Sequence, residues 1–427
     1  MAHWFHRNPI KATDKVTFDL KSVATTEQCI QICNDLRVRR KNLLELFTSA
    51  HNDLEIVTNE FNQYLSLFMG FIYEVPRNTE KKLAASKLLP LIRFTWANSM
   101  LGETVCEVSN SWFEVLNMLV NMALWLMKHA ASISARDEVS ETESKRIYSC
   151  LRRAAGMFIF VRSNIDKIER KQLLKGCDLD SSVLSAYITQ CIAEAQEISV
   201  ARAIELKHSS SLISSLTHNT SALFIEAGSL LLSYKYLHEQ DQSIFSKWRF
   251  YLLLKAQIYL SYAYAFFGKD LLSNGKCGKA IRACKEGVSN FNLAEEYVQK
   301  YSGSSGPGMK AKPENHLFYR RIKPLLIRYL EQAERENGFI YHQTVADECP
   351  ALDKTAEFGL ARPEEFRLPP FNNVWSYSVY TSFNLSKATM PDFSKIKLSK
   401  KSLPPPKEEK LYETDLDPRN LSGCAVM

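Results

Sequence analysis

The stretch Tyr262-Ala263-Tyr264-Ala265-Phe266-Phe267-Gly268, closed by the turn Asn274-Gly275 and answered by Ala280, Cys284 and Ala294, decides how this chain folds. Aromatic knobs facing small residues let two antiparallel helices approach closely, so the segment reads as a tetratricopeptide-type helix pair. The pattern does not recur at a fixed period. The chain is therefore solenoid-like rather than an array of consensus repeats.

Outward from this pair, apolar residues at three- and four-residue spacing predict helices over about 26–49, 53–75, 81–102, 109–133, 138–165, 181–207, 210–237, 243–269, 277–301 and 314–337. Pro90 is expected to kink or restart the third of them. Before the first helix, Val16-Thr17-Phe18-Asp19-Leu20 looks extended and predicts a small N-terminal β element. The run Ser302 to Gly308 is a loop. From about Val345 helical patterning fades, and Pro350, Pro363, Pro369 and Pro370 alternate with Phe366, Phe371, Trp375, Tyr377 and Tyr380. That mixture predicts an extended arm laid along the helical body, its rings filling surface grooves. The last forty or so residues, lysine-rich and then of mixed charge, are expected to be disordered.

The 427 residues are 45% hydrophobic and 24% charged, an ordinary globular balance. A net charge of +7 is mild for this length and excludes a nucleic-acid footprint, while remaining compatible with anionic membranes or acidic partners. The ten cysteines include no CxxC pair and sit mostly in apolar helical patterns, so they read as reduced, buried small hydrophobes. Cys29 and Cys33 are read as core rather than metal ligands. The N-terminus lacks the apolar run of a signal peptide, and Val115 to Ile133, the most apolar segment, is interrupted by Asn117, Asn121, Lys128 and His129. It reads as a buried core helix. The expected location is therefore the cytosol and the cytosolic face of membranes.

Enzyme chemistry finds no constellation. There is no Gly-rich phosphate loop, GxSxG elbow or HExxH. His3 and His6 have HxxH spacing without an acidic third ligand, and no His-Cys pair exists for a phosphatase signature. No metal and no cofactor are expected. The basic cluster Arg37-Val38-Arg39-Arg40-Lys41 reads first as a solvated helix face, and second as a surface for acidic lipid or an acidic tail.

The one addressing signal is at the end. Cys424-Ala425-Val426-Met427 has the pattern of a CaaX box, and its Met favours farnesyl over geranylgeranyl on Cys424. The polar stretch before it, broken by Pro404-Pro405-Pro406, would supply the tether.

Four segments carry a family resemblance. They are Gln190-Cys191-Ile192-Ala193-Glu194-Ala195-Gln196-Glu197, Glu336-Asn337-Gly338-Phe339-Ile340-Tyr341-His342, Gly306-Pro307-Gly308 ahead of His316-Leu317-Phe318, and the opening His3-Trp4-Phe5-His6-Arg7-Asn8-Pro9. In these the chain resembles the BRO-domain family, the Alix-like proteins that work with the ESCRT membrane-remodelling machinery, and most of all its short, prenylated branch. The resemblance implies a mainly all-α, elongated, banana-shaped domain with a tetratricopeptide-like core and a small sheet, over residues 1–385, followed by a flexible tail at 386–427. It also implies a monomeric, non-enzymatic adaptor that binds the amphipathic C-terminal helices of ESCRT-III (charged multivesicular body) subunits in an apolar groove. The nuclear envelope is one membrane the resemblance suggests.

Carried onto this sequence, the groove should include Leu212, Leu216 and Ile213, capped by Ser209-Ser210-Ser211, with Ser199 and the helix of Tyr148 and Leu151 as further walls. Periodicity alone would place the leucines in an ordinary core stripe. Ser199 stands where Alix-like members have phenylalanine, a departure that would weaken or redirect binding. The alternative is a prenylated helical scaffold for a non-ESCRT cytoskeletal or membrane partner.

Overall fold

Side-chain caps set where the helices begin. Thr26 caps α1 (Glu27–Leu46), Asp53 caps α2 (Leu54–Ile72), and Asn110 caps α3 (Ser111–Ser134). Ser140 opens α4 (Glu141–Ser163) with a full capping box to Glu143, Asp180 opens α5 (Ser181–Glu205), and Ser209 opens α6 (Ser210–Leu230). Each such side chain takes a backbone N–H that the helix itself cannot satisfy, an effect of about 1 kcal/mol. Then come α7 (Glu239–Ser273), α8 (Cys277–Gly303), the short α9 (Leu317–Arg320), α10 (Ile322–Glu336) and α11 (Tyr377–Thr381). This computed structural model describes residues 3–77, 84–101, 104–136, 138–169, 176–234, 239–306, 312–352, 355–387 and 403–411.

From α3 to α8 each helix packs chiefly on the one before and the one after it, and α10 closes over α7 and α8. Nearest-neighbour packing of this kind is the solenoid arrangement. The α7–α8 pair is as the aromatic and small residues predicted. A Cβ on Gly268 would lie 2.4 Å from Cys284 Sγ, so the absence of a side chain there is what allows the close approach. Helix α3 is buried on nearly all sides, as its apolar run predicted, and no helix among the described residues is long and apolar enough to cross a membrane.

The predicted helix over 81–102 does not form. Phe94–Ala97 (β1) pairs antiparallel with Val105–Val108 (β2), and Thr13 adds a bridge to Trp96. The reason is tertiary. Glu114 of α3, fully buried, accepts from Trp96 Nε1 (2.8 Å), Tyr64 Oη (2.9 Å) and Arg40 Nε (2.7 Å), which fixes Trp96 in an extended segment. The expected extended opening at Val16–Leu20 makes no strand and is broken by a left-handed Phe18 (φ +51°); the β element sits further along the chain.

The N-terminal segment threads into the core, with Trp4 and Phe5 fully buried. His3 and His6 are core residues too. His6 Nδ1 lies 2.9 Å from Tyr301 Oη, and His3 Nδ1 lies 3.3 Å from Glu197. Cys29 and Cys33 are buried, and burial pushes the Cys33 thiol up to about 12.

The C-terminal arm lies on the body as expected. Trp375 Nε1 donates to Leu67 O (2.7 Å), Tyr380 Oη accepts from Lys87 N (3.0 Å), and Phe366 meets Phe160 edge-on. The tail departs from expectation at 403–411, which docks back onto the body. Glu408 pairs with Lys128 and accepts from Ile10 N (2.8 Å), and Glu409 accepts from Ser49 Oγ. Charge complementarity that composition does not reveal holds this segment. Cys424 and the rest of the tail lie outside the described residues.

Candidate functional site

Helices α4, α5 and α6, with a piece of the arm, enclose a groove of about 550 Å³. Tyr148 reaches it from α4, Ile198 and Ser199 from α5, Leu212 and Leu216 from α6, and Phe358 from the arm. The Ser209 cap starts α6 with Leu212 N donating to Ser209 Oγ (3.3 Å), which places Leu212 in the first turn and Leu216 one turn later on the same face. At the rim, Glu141 pairs with Lys145 (3.0 Å) and Arg202 (3.5 Å). The Lys145 ammonium and then the Arg202 charge hold the Glu141 carboxyl below its ordinary value.

The arm is pinned here by Gln196. Its Nε2 donates to Asn219 Oδ1 (2.8 Å) and Thr220 Oγ1 (3.0 Å), and its Oε1 accepts from Ala361 N (3.3 Å). That holds Gly359 (φ +76°) against Leu216, whose Cδ2 would lie 3.0 Å from any Cβ there. Phe358 is left projecting, 68% exposed.

Leu212 and Ser199 are half-buried and line the groove, and Leu216 forms part of its wall although only 1% exposed. Ile213 and Leu151 do not line it; both are shut into the core. Successive helix residues point about 100° apart, so Ile213 cannot share a narrow face with Leu212 and Leu216. Tyr148, named from the same helix as Leu151, does reach the groove. Phe358 and Gly359 were missed because they lie far along the chain in an arm with no periodicity. Arg202 follows Ser199 by three residues, so helical spacing from Ser199 would have found it.

On the opposite side of α5 lies a buried polar tier. Glu194 receives Arg7 (2.8 Å), Tyr251 Oη (2.6 Å) and Gln190 Nε2 (2.7 Å), while Glu197 receives Lys255 (2.9 Å) and His3. Burial would raise the Glu197 carboxyl, but the Lys255 ammonium and His3 keep it below its ordinary value. Burial lowers the His6 imidazole to about 3. These charge pairs hold the opening segment, α5 and α7 together. Among the described residues no cluster of three or more His, Cys, Asp or Glu is placed to hold a metal ion.

Comparison with known proteins agrees with the helical fold. The chain is 51% identical to the BRO1 domain-containing protein BROX homolog of Caenorhabditis elegans over 100% of both chains. In three dimensions it is similar to ALIX in complex with the SIVmac239 PYKEVTEDL late domain, with a TM-score of 0.64 at 16% identity; 87% of this chain and 51% of that one are covered, so it spans about half of that molecule. It is also similar to the ALIX BRO1 CHMP4C complex, with a TM-score of 0.57 at 17% identity, covering 87% and 97%. The family description "BRO1-like domain" matches residues 37–391, and with it the chain belongs to the BRO1 domain family.

Proposed function

We propose that this protein is an adaptor whose groove receives the amphipathic C-terminal helix of an ESCRT-III subunit. The observation that carries the reading is the apolar lining of the groove where three helices and the arm meet, with Ile198 and Leu216 as its buried wall, Leu212 half-buried and Phe358 exposed. Grooves of roughly 300–1,000 Å³ suit a few anchoring side chains, and an amphipathic helix presents such anchors at i, i+3, i+4 and i+7. Support comes from the fold of the ALIX BRO1 CHMP4C complex, whose partner is a protein of the charged multivesicular body class. The pairs at the rim give register rather than strength, because exposed ion pairs contribute little. Ser199 offers no ring to the ligand, and micromolar affinity is expected.

The second part of the reading is a lipid. Cys424 in its CaaX pattern would carry a farnesyl group, and one chain alone gives marginal, reversible membrane binding. Groove and lipid together would hold the protein, as a monomer, on the cytosolic face of membranes already rich in ESCRT-III, the nuclear envelope among them, by effective concentration.

The test is binding to a panel of ESCRT-III C-terminal helix peptides by the protein and by its Leu212→Asp variant. Leu212 is the better probe because Leu216→Asp would bury a charge and disturb the fold. Micromolar binding to a tail, lost in a folded Leu212→Asp protein, supports the groove. Binding to no tail, or equal binding by the variant, sinks it and favours a scaffold for a different partner.

A further inference from the structure

Two features remote from the groove meet at one place. The first is the docked tail. Besides the Glu408 and Glu409 contacts, Glu409 N donates to Thr48 O (3.0 Å), His51 Nε2 lies 3.2 Å from Lys410 O, and Leu411 packs against the core. The second is a cavity of about 510 Å³ between the extended opening segment and α1. Val16, Val38 and Leu44 line it, together with Arg37 and Lys41. Thr48 belongs to both features, since it lines the cavity and its carbonyl anchors the tail.

We propose that this cavity shelters the isoprenoid chain on Cys424 of the same molecule, with the docked tail as the strap that delivers it. The proposal rests on the prenylation reading above. Reach is sufficient. Leu411 and Cys424 are thirteen residues apart, and an extended chain of that length spans up to about 45 Å. The cavity follows α1 from Arg37 to Glu45, roughly 12 Å of helix, and ends at Thr48 just beyond it.

Charge favours the same occupant. Between Leu411 and Cys424 lie Glu413, Asp415 and Asp417 against a single Arg419, so this leash is acidic and is repelled by an anionic bilayer. At the cavity, Lys41 pairs with Glu45 (3.5 Å), while Lys15 and Arg37 are exposed. An acidic leash is drawn to that rim, and the lipid it carries finds apolar walls beside it. Within the basic cluster on α1, Arg39, Arg40 and Lys41 already pair with Glu60, Glu114 and Glu45, so the attraction rests on Arg37 and on Lys15 across the cavity.

The consequence is a membrane anchor in competition with its own shelter. A single isoprenoid-sized chain binds membranes with a constant on the order of 10⁴ M⁻¹, so even modest occupancy of the cavity matters. Tenfold preference for the sheltered state lowers apparent membrane affinity about tenfold.

Full-length protein co-expressed with farnesyltransferase provides the test. Intact mass first reports whether Cys424 is modified; an unmodified cysteine refutes the prenylation reading and removes this proposal with it. Modified protein is then sedimented with phosphatidylcholine–phosphatidylserine vesicles. Two variants are compared with it: Val38→Trp, which fills the cavity from an exposed position, and Glu408→Ala with Glu409→Ala, which frees the strap. Because loss of Glu408 also strips Lys128 of its partner, Val38→Trp is the decisive variant. Each should raise vesicle partition about tenfold, and neither should do so in a Cys424→Ser background. Equal partition of modified wild type and Val38→Trp overturns the proposal. So does a modified protein that runs as a dimer while its vesicle binding responds to Val38→Trp, because the sheltered lipid would then belong to a second copy.

Discussion

The two faces of α5 depart from the usual arrangement of a globular helix. Its inner face carries Gln190, Glu194 and Glu197, all buried, while its outer face turns Ser199 and Arg202 toward a groove open to solvent. Inside, each carboxylate is met by a cation and by hydrogen-bond donors, an arrangement that ties the chain's opening to α5 and α7 in one register. Outside, apolar side chains are left without a complete covering. Buried charge of this kind is weak evidence for stability and better understood as specification, whereas exposed apolar surface marks a place for a partner. The tier keeps the helix in place, and the groove uses its other side.

The sharpest way to break this contrast is at the tier. Lys255→Met leaves Glu197 buried without its cation and should cost about 3–5 kcal/mol, read by thermal or denaturant unfolding. Replacing Lys255 and Glu197 together by Met and Leu should recover much of that loss; no recovery would mean the pair itself, not the stranded charge, supplies the stability.

Acid should attack the tier next. An unfolded histidine binds its proton near pH 6.5, whereas the buried His6 does so only at about 3. The unfolded state therefore holds more protons in that window, and stability present above 6.5 is lost as pH falls toward 3. The slope is about 1.4 kcal/mol per pH unit for this one residue. Melting curves between pH 7 and 5 should show the decline, and it should lessen in a folded His6→Gln variant.

On the groove side the effects are smaller and fall on binding. Leu212→Asp should weaken a helical peptide at least tenfold, about 1.4 kcal/mol, with little change in melting temperature because Leu212 is only half-buried. Titration by calorimetry beside a melt separates the two. Ser199→Phe should have the smallest effect and the opposite sign. A ring partly covered by ligand would add a fraction of the roughly 1.5–3 kcal/mol of full burial, and so tighten binding several-fold. Unchanged affinity there would place the peptide away from α5.

Much of the architecture was legible because helices report themselves locally. Capping residues such as Ser140 with Glu143, and the aromatic and small residues around Gly268, carry their structural meaning within a few positions. The failure at 81–102 has the opposite cause. Its apolar spacing was compatible with a helix, but Glu114, Tyr64 and Arg40 surround Trp96 from other elements and hold it extended. Leu212 was placed by resemblance, since periodicity cannot separate a groove leucine from a core one. Ile213 was taken along as the neighbour of Leu212, although the 100° turn between successive helix residues sends it into the core.

By itself the sequence determined the helical class, the close α7–α8 pair, the buried α3, the arm and the CaaX pattern, because each depends on residues near one another in the chain. Tertiary structure decided what those pieces enclose. Only folding brings Phe358 beside Leu216, sets Gln196 to pin the arm, and returns Glu408 to Lys128. Contacts of that separation leave no periodic trace, since the closing of long loops is governed by complementary surfaces and not by local pattern.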